Sequence, residues 1–289
     1  MRILFSTGAL YGLPLPWALR LAAQAGCDGV ELVMDPFVVL MGPRRVGMLS
    51  ARAGVPIEAI HPPLFDLPGW NRQPEAFRRL AEWAEALHCP LLVVHPPRMG
   101  DLPKWVSAFD RGIQALREVT KGAVQLTVEN LAVFDLADRR HPYVLPERVA
   151  EFAGKRGLGM TLDTTHVASA DLPLVETYEA VAALVKHVHL SDIVQPCSLL
   201  DRPSLDTYVK HHQLPGAGHL PLRLFLRKLR ESGYGGAITL ELSPVALQVW
   251  RFGEPLPRLR QSVAYVREEL STSAGVAVME KARTTVSGA

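Results

Sequence analysis

Residues 126–130 read LTVEN, 159–163 GMTLD, 187–190 HVHL and 238–242 ITLEL. Each is a short, mostly apolar run that closes on a residue able to bind a metal or move a proton: Glu129, Asp163, His189 and Glu241. Three more runs have the same form: GVELV at 29–33 with Glu31, IEAIH at 57–61 with His61, and LLVVH at 91–95 with His95. RILFST at 2–7 opens the series and supplies no ligand. Near-continuous apolar runs are what buried parallel strands look like, and the C-terminal ends of such strands carry the active site of a (β/α)8 barrel. Seven carboxylates and imidazoles at corresponding strand ends predict one convergent site.

The intervening segments fit helices. PEAFRRLAEWAEALH at 74–88 places Phe77, Leu80, Ala81, Ala84 and Leu87 on one face. Further helices are expected at 15–25, 104–119, 146–156, 174–185, 220–232 and 257–270, with a short one over VGMLSARAG ending at Gly54. Eight strand–helix units over residues 1–270 predict an α/β fold, a single-domain (β/α)8 TIM barrel, with 271–289 as a flexible tail. A doubly wound sheet would be expected to carry GxGxxG or a P-loop, and neither occurs. The polar segment 191–218, rich in Asp, His, Pro and Gly, reads as a functional loop at the mouth.

Composition narrows the partners. A 289-residue chain with 48% hydrophobic residues and a formal net charge of +2 carries no polyanion-binding signature. Gly8, Gly12, Pro14 and Pro16 interrupt the N-terminal apolar stretch before a signal-peptide core forms, and no apolar run approaches the ~20 residues that span a bilayer. Cys27, Cys89 and Cys197 are odd in number and widely spaced, so no disulfide framework is expected. A cytoplasmic protein is expected, with homo-oligomerisation through the tail and last helix left open.

Carboxylates and imidazoles suit a divalent ion and leave open positions for water or substrate. Glu129 and Glu241 end strongly apolar strands, where an unpaired charge is costly, so a cation is the simpler partner. Glu31 is open to three roles: supporting the ligands, binding a sugar hydroxyl, or pairing with Lys or Arg. His187 is assigned to the face of its strand opposite His189, in a structural role. His211, His212 and His219 default to the surface.

With EN at 129–130, LDTTH at 162–166, HVHLSD at 187–192, LPGAGHL at 214–220 and LEL at 240–242, the chain resembles the xylose isomerase-like TIM-barrel superfamily. Its sugar isomerases and epimerases hold a metal with a Glu, an Asp, a His and a second Glu, matching Glu129, Asp163, His189 and Glu241. The resemblance implies a divalent ion (Mn, Zn, Co or Mg), Glu129 and Glu241 as acid and base, His166 at the substrate or behind the ligands, and a sugar-like substrate, for which Glu31 is a further candidate contact. The strand-seven histidine is followed six residues later by Gln195, where ketose epimerases carry Arg. The same superfamily includes endonuclease IV, whose further zinc ligands match His61, His95, His166 and His212. A ligand Asp of that family is replaced by Lys210, with Asp201 and Asp206 as the nearby carboxylates. The resemblance thus leaves three readings: a sugar isomerase or epimerase, a phosphodiesterase on abasic DNA, and a non-catalytic polyol-binding barrel.

Overall fold

A computed structural model describes residues 1–70, 74–194 and 209–271. Gln195, Cys197, Asp201 and Asp206, together with the tail from residue 272, lie outside the described residues. Eight parallel strands close into a barrel in sequence order: β1 (Arg2–Ser6), β2 (Gly29–Val33), β3 (Ile57–His61), β4 (Leu91–Val94), β5 (Gln125–Glu129), β6 (Gly159–Asp163), β7 (Val185–Leu190) and β8 (Ala237–Leu240). The outer ring contains α1 (Leu15–Ala25), α2 (Pro36–Ala53), α3 (Glu75–Leu87), α4 (Leu102–Thr120), α5 (Pro146–Gly154), α6 (Thr164–Ser169), α7 (Leu174–Val181), α8 (Leu222–Glu231), α9 (Pro244–Leu247) and α10 (Pro255–Ser271). Among the described residues no helix is long and apolar enough to cross a membrane.

One expected element is longer than its pattern suggests. The short helix ending at Gly54 is the second half of α2, which starts much earlier because the Asp35 carboxylate accepts from Val38 N at 2.8 Å with Pro36 at the first helical position. Gly42, at φ 73°, kinks it, and Pro43 follows without a lost donor to satisfy.

Side chains alternate across each strand, so every second residue points into the barrel. At the bottom Leu4, Ala59, Leu91, Val93 and Ala237 form a small apolar plug. The outward residues, such as Phe5, Leu32, Ile60, Leu92, Val128, Leu162 and Val188, pack under the helices in the main core. Above the plug the interior turns polar: Thr127 and Thr161 are joined through their hydroxyls at 2.7 Å, and His187, Thr239 and Glu31 complete a fully buried layer. The next inward positions are Glu129, Asp163, His189 and Glu241, so the layering delivers the sequence-picked residues to the mouth together.

The mouth loop after β7 is organised by a buried carboxylate. Asp192 Oδ1 accepts from Ile193 N (2.9 Å) and Leu220 N (3.0 Å), and Oδ2 from Gly216 N and Gly218 N, both at 3.0 Å. This ties HVHLSD to LPGAGHL and explains the glycine at 218, where a Cβ would lie 2.2 Å from the Ile193 carbonyl oxygen. Asp192→Ala leaves four N–H groups without their acceptor. We expect a loss of about 3–5 kcal/mol in denaturant unfolding, since single bonds to a charged group contribute roughly 1.5–3 kcal/mol; a loss below 1 kcal/mol would contradict this role.

Candidate metal centre

Four ligand atoms, one each from Glu129, Asp163, His189 and Glu241, lie within 4.8 Å of one another. His189 Nδ1 is 2.9 Å from Glu129 Oε1, 2.9 Å from Glu241 Oε2 and 3.9 Å from Asp163 Oδ2. The first three residues are buried, and Glu241, just past the end of β8, is 17% exposed in its side chain. One ring nitrogen can donate one hydrogen bond, and Glu129 is placed to take it. Glu241 Oε2, although as close, is off the donor direction, so it and Asp163 Oδ2 are buried oxygens without a hydrogen-bond donor. Three carboxylates around one imidazole hold more negative charge than the histidine can balance. A divalent cation among them removes both defects, and three oxygens with one nitrogen are a donor set such ions accept.

The ionisation of these groups follows from the same crowding. Burial would push the Glu129 and Glu241 carboxyls up, yet His189, together with His61 and His95 at Glu129 and with His212 at Glu241, outweighs it and holds both below the ordinary range. Burial would likewise lower His189, but Glu31, Glu241 and Glu129 surround it and drive it up. At Asp163 the balance goes the other way: burial, with the charges of Glu241 and Glu129, raises its carboxyl despite the attraction of His166 and His212.

Histidine tautomers point the same way. His189 Nε2 is 3.0 Å from Glu31 Oε2, where Nε2–H donates, so that a divalent ion taking the place of the Nδ1 proton would meet an Nδ1 lone pair among the three carboxylates. His61 Nδ1 donates to the Pro62 carbonyl at 2.7 Å, which turns its Nε2 toward Glu129 Oε2 at 3.3 Å. His95 Nε2 lies 3.3 Å from that same oxygen, with the two rings 4.9 Å apart. His61, His95 and Glu129 thus form a second candidate cluster, in which the two oxygens of Glu129 face different sets of nitrogens.

His166 sits at the start of α6, where Asp163 Oδ1 caps the helix by accepting from His166 N and from Thr165 Oγ1, each at 2.8 Å. Its Nδ1 donates to the Asn130 carbonyl at 2.7 Å, leaving Nε2 4.0 Å from Asp163 Oδ2. His212 Nδ1 is 3.2 Å from Ser191 Oγ and 3.4 Å from Thr165 Oγ1.

Two sequence expectations are corrected. His187 does not face away from His189: residues two apart on a strand share a face, and both rings point into the barrel, with His187 Nε2 2.9 Å from Glu31 Oε2 and 3.0 Å from Thr239 Oγ1. His211 and His212 are buried, because the Asp192–Gln213 bridge folds their loop over the mouth; His219 is exposed as expected. Lys210, where the nuclease pattern has Asp, is buried in the same loop, and its carbonyl accepts from Val194 N at 3.0 Å.

Glu31 is fully buried beneath His189 and does not line the cavity at the barrel mouth, so of its three open roles the geometry favours support of the ligands. Burial would raise its carboxyl, but the charge of His189 and the hydrogen bonds from His187 and His189 lower it to about 2. Glu31→Gln should keep the barrel closed while weakening metal affinity by about 10–100-fold, the usual cost of losing a residue that orients a ligand. Metal titration of the purified variant checks this, and unchanged affinity would remove Glu31 from the centre.

Asn130 and Pro62 have roles that the strand-end pattern does not announce. Asn130 Oδ1 accepts from Asp163 N at 2.9 Å and so locks the end of β5 to that of β6. The signal for Pro62 is the repeated His-Pro-Pro at 61–63 and 95–97.

Above these residues lies a cavity of about 670 Å³. Its floor holds His61, His95, Glu129, His166, His212 and Glu241, and Leu64, Phe65, Leu131, Phe134 and Pro244 are among its walls. The cavity is large enough for a sugar-sized ligand.

The sequence pattern of the xylose isomerase-like TIM barrel matches residues 19–269. An uncharacterized protein of Mycobacterium leprae is 26% identical over 269 residues, covering 84% of this chain and 89% of its own. Among solved structures, a D-tagatose 3-epimerase-like protein superposes with a TM-score of 0.69 at 21% identity, over 93% of this chain and 97% of the other. The IolI protein with a bound zinc atom gives 0.70 at 16% identity, over 94% of this chain and 100% of the other. At such identities the structural likeness establishes the fold.

Proposed function

This chain belongs to the xylose isomerase-like TIM-barrel family, and from that premise we propose that it is a divalent-metal-dependent isomerase or epimerase acting on a sugar or sugar derivative. The observation that carries the reading is the convergence of Glu129, Asp163, His189 and Glu241 on one point, with two buried carboxylate oxygens there lacking any donor. The solved neighbours include a sugar epimerase-like protein and a zinc-binding protein, which is consistent with it.

When bound, a divalent ion would polarise the carbonyl and hydroxyl oxygens of the substrate and stabilise negative charge next to them. The chain supplies the rest. Glu129 and Glu241 both face the cavity from positions against His189, so one carboxylate takes the proton from the carbon beside the carbonyl and the other returns one. His166, its Nδ1 held by Asn130, presents Nε2 to a substrate hydroxyl. Glu31 and His187 hold His189 from below.

Proton removal beside a carbonyl exposes that carbon to exchange with solvent. The protein supplied with Mn, Co or Zn and incubated with a panel of ketoses in deuterium oxide should incorporate deuterium next to the carbonyl, detected by NMR. No incorporation with any member would count against the reading. The His61, His95 and Glu129 cluster favours a second reading, a metal-dependent phosphodiesterase. Cleavage of abasic-site DNA without ketose exchange would favour that one.

A further inference from the structure

The His-Pro-Pro stretches at 61–63 and 95–97 do more than carry two histidines. Each places its histidine on the floor of the cavity over the metal residues and its prolines in the wall of a second hollow, of about 400 Å³. Leu64, Phe65, His95 and Leu131 line both spaces, so the two adjoin across His95. Each falls within the roughly 300–1,000 Å³ typical of small-molecule sites. One sugar ring over the metal residues leaves the second hollow unfilled.

The second hollow has the mixed lining that suits a hydroxylated ring. Trp70 and Trp105 bring aromatic surface, and the prolines, with φ fixed, stiffen the wall. Three groups have hydrogen-bonding capacity to spare. Trp70 is a buried side chain whose indole Nε1–H has no acceptor, a costly state that an oxygen against that wall relieves. Asp66 and Arg98 face each other at 3.8 Å on the largely exposed rim, a separation that leaves guanidinium donors and carboxylate lone pairs for a ligand. His141 is already used: its Nδ1 accepts from Tyr143 N at 3.3 Å, and its ring also bonds to the Pro97 backbone. One carboxylate beside one guanidinium gives the rim no net charge, so a neutral polyol complements it better than a phosphate or a carboxylate. A hydrocarbon group would leave the Trp70 N–H without an acceptor.

We infer that the substrate is a glycosylated sugar derivative: the unit that reacts sits over the metal residues, and a second, uncharged sugar ring fills the hollow beyond His95, where Trp70, Asp66 and Arg98 bind its oxygens. This rests on the isomerase or epimerase reading for the reacting unit.

The test is calorimetric binding to the full-length protein supplied with Mn, comparing D-fructose with its glycosylated forms turanose, maltulose, isomaltulose and lactulose. At least one of these disaccharides should bind about tenfold tighter than fructose or more, as a few added hydrogen bonds allow. That advantage should fall to about threefold or less in Trp70→Phe, which keeps a ring and removes the donor, and in Arg98→Ala. Arg98 stands on the exposed rim, where its removal spares the fold, so it decides the matter if Trp70→Phe misfolds. Affinities equal to that of fructose throughout, no binding by any disaccharide, or an advantage that survives both substitutions would overturn the inference. Deuterium exchange into free ketoses without a disaccharide preference would sink the inference alone; a disaccharide preference without exchange into any ketose would sink the catalytic reading and leave the second sugar site standing.

Discussion

Glu241→Gln is expected to lower kcat by at least about a thousandfold while leaving the barrel folded. General acid–base catalysis contributes about 10²–10⁴, and the substitution also removes one of the carboxylates that stabilise the bound ion. The fold should tolerate it. Glu241 lies past the end of β8 rather than within its ladder, and its Oε2 lacks a hydrogen-bond donor. Gln has the same shape and relieves repulsion among three crowded carboxylates. Circular dichroism and thermal unfolding should match those of the parent, and activity in the exchange assay should not. Retained activity would remove Glu241 from the chemistry.

Chelation should have an equally large effect. Stripping divalent ions is expected to reduce exchange to background, and adding back Mn, Zn or Co should restore it. Stability should move with it, because an ion that binds only the folded site at about a thousandfold excess over its Kd adds about 4 kcal/mol. In a chain of this size that is roughly 10 °C in Tm. Without the ion, Glu129, Asp163 and Glu241 crowd one another around His189 in a largely buried site, where repulsion is screened less than in bulk water. A Tm indifferent to chelator would mean that these residues are balanced some other way.

The barrel was legible because buried parallel strands leave apolar runs and their inward positions recur every second residue. In LTVE, MTLD, KHVH and ITLE the residue two before the terminal ligand is also polar: Thr127, Thr161, His187 and Thr239. That spacing places His187 beside His189 on the inward face, because the strand period is two. Glu31 was harder to place. Its strand end looks like the others, but β2 and β3 shift register between Val30 and Glu31, and the side chain lies beneath the ligands instead of among them. The burial of His212 depends on the backbone bridge between Asp192 and Gln213, a pairing across some twenty residues that local composition does not carry. The start of α2 is hidden in the sequence because Gly42 and Pro43 resemble a loop, although Asp35 and Pro36 upstream form a helix-start signal.

The most direct measurement is anomalous scattering at the metal edge from crystals of protein purified without chelator and supplied with Mn or Zn. A strong peak is expected among Glu129 Oε1, Asp163 Oδ2, His189 Nδ1 and Glu241 Oε2, at about 2.0–2.2 Å from each if the ion is zinc. No peak at that point, or a peak confined to His61 and His95, would contradict it.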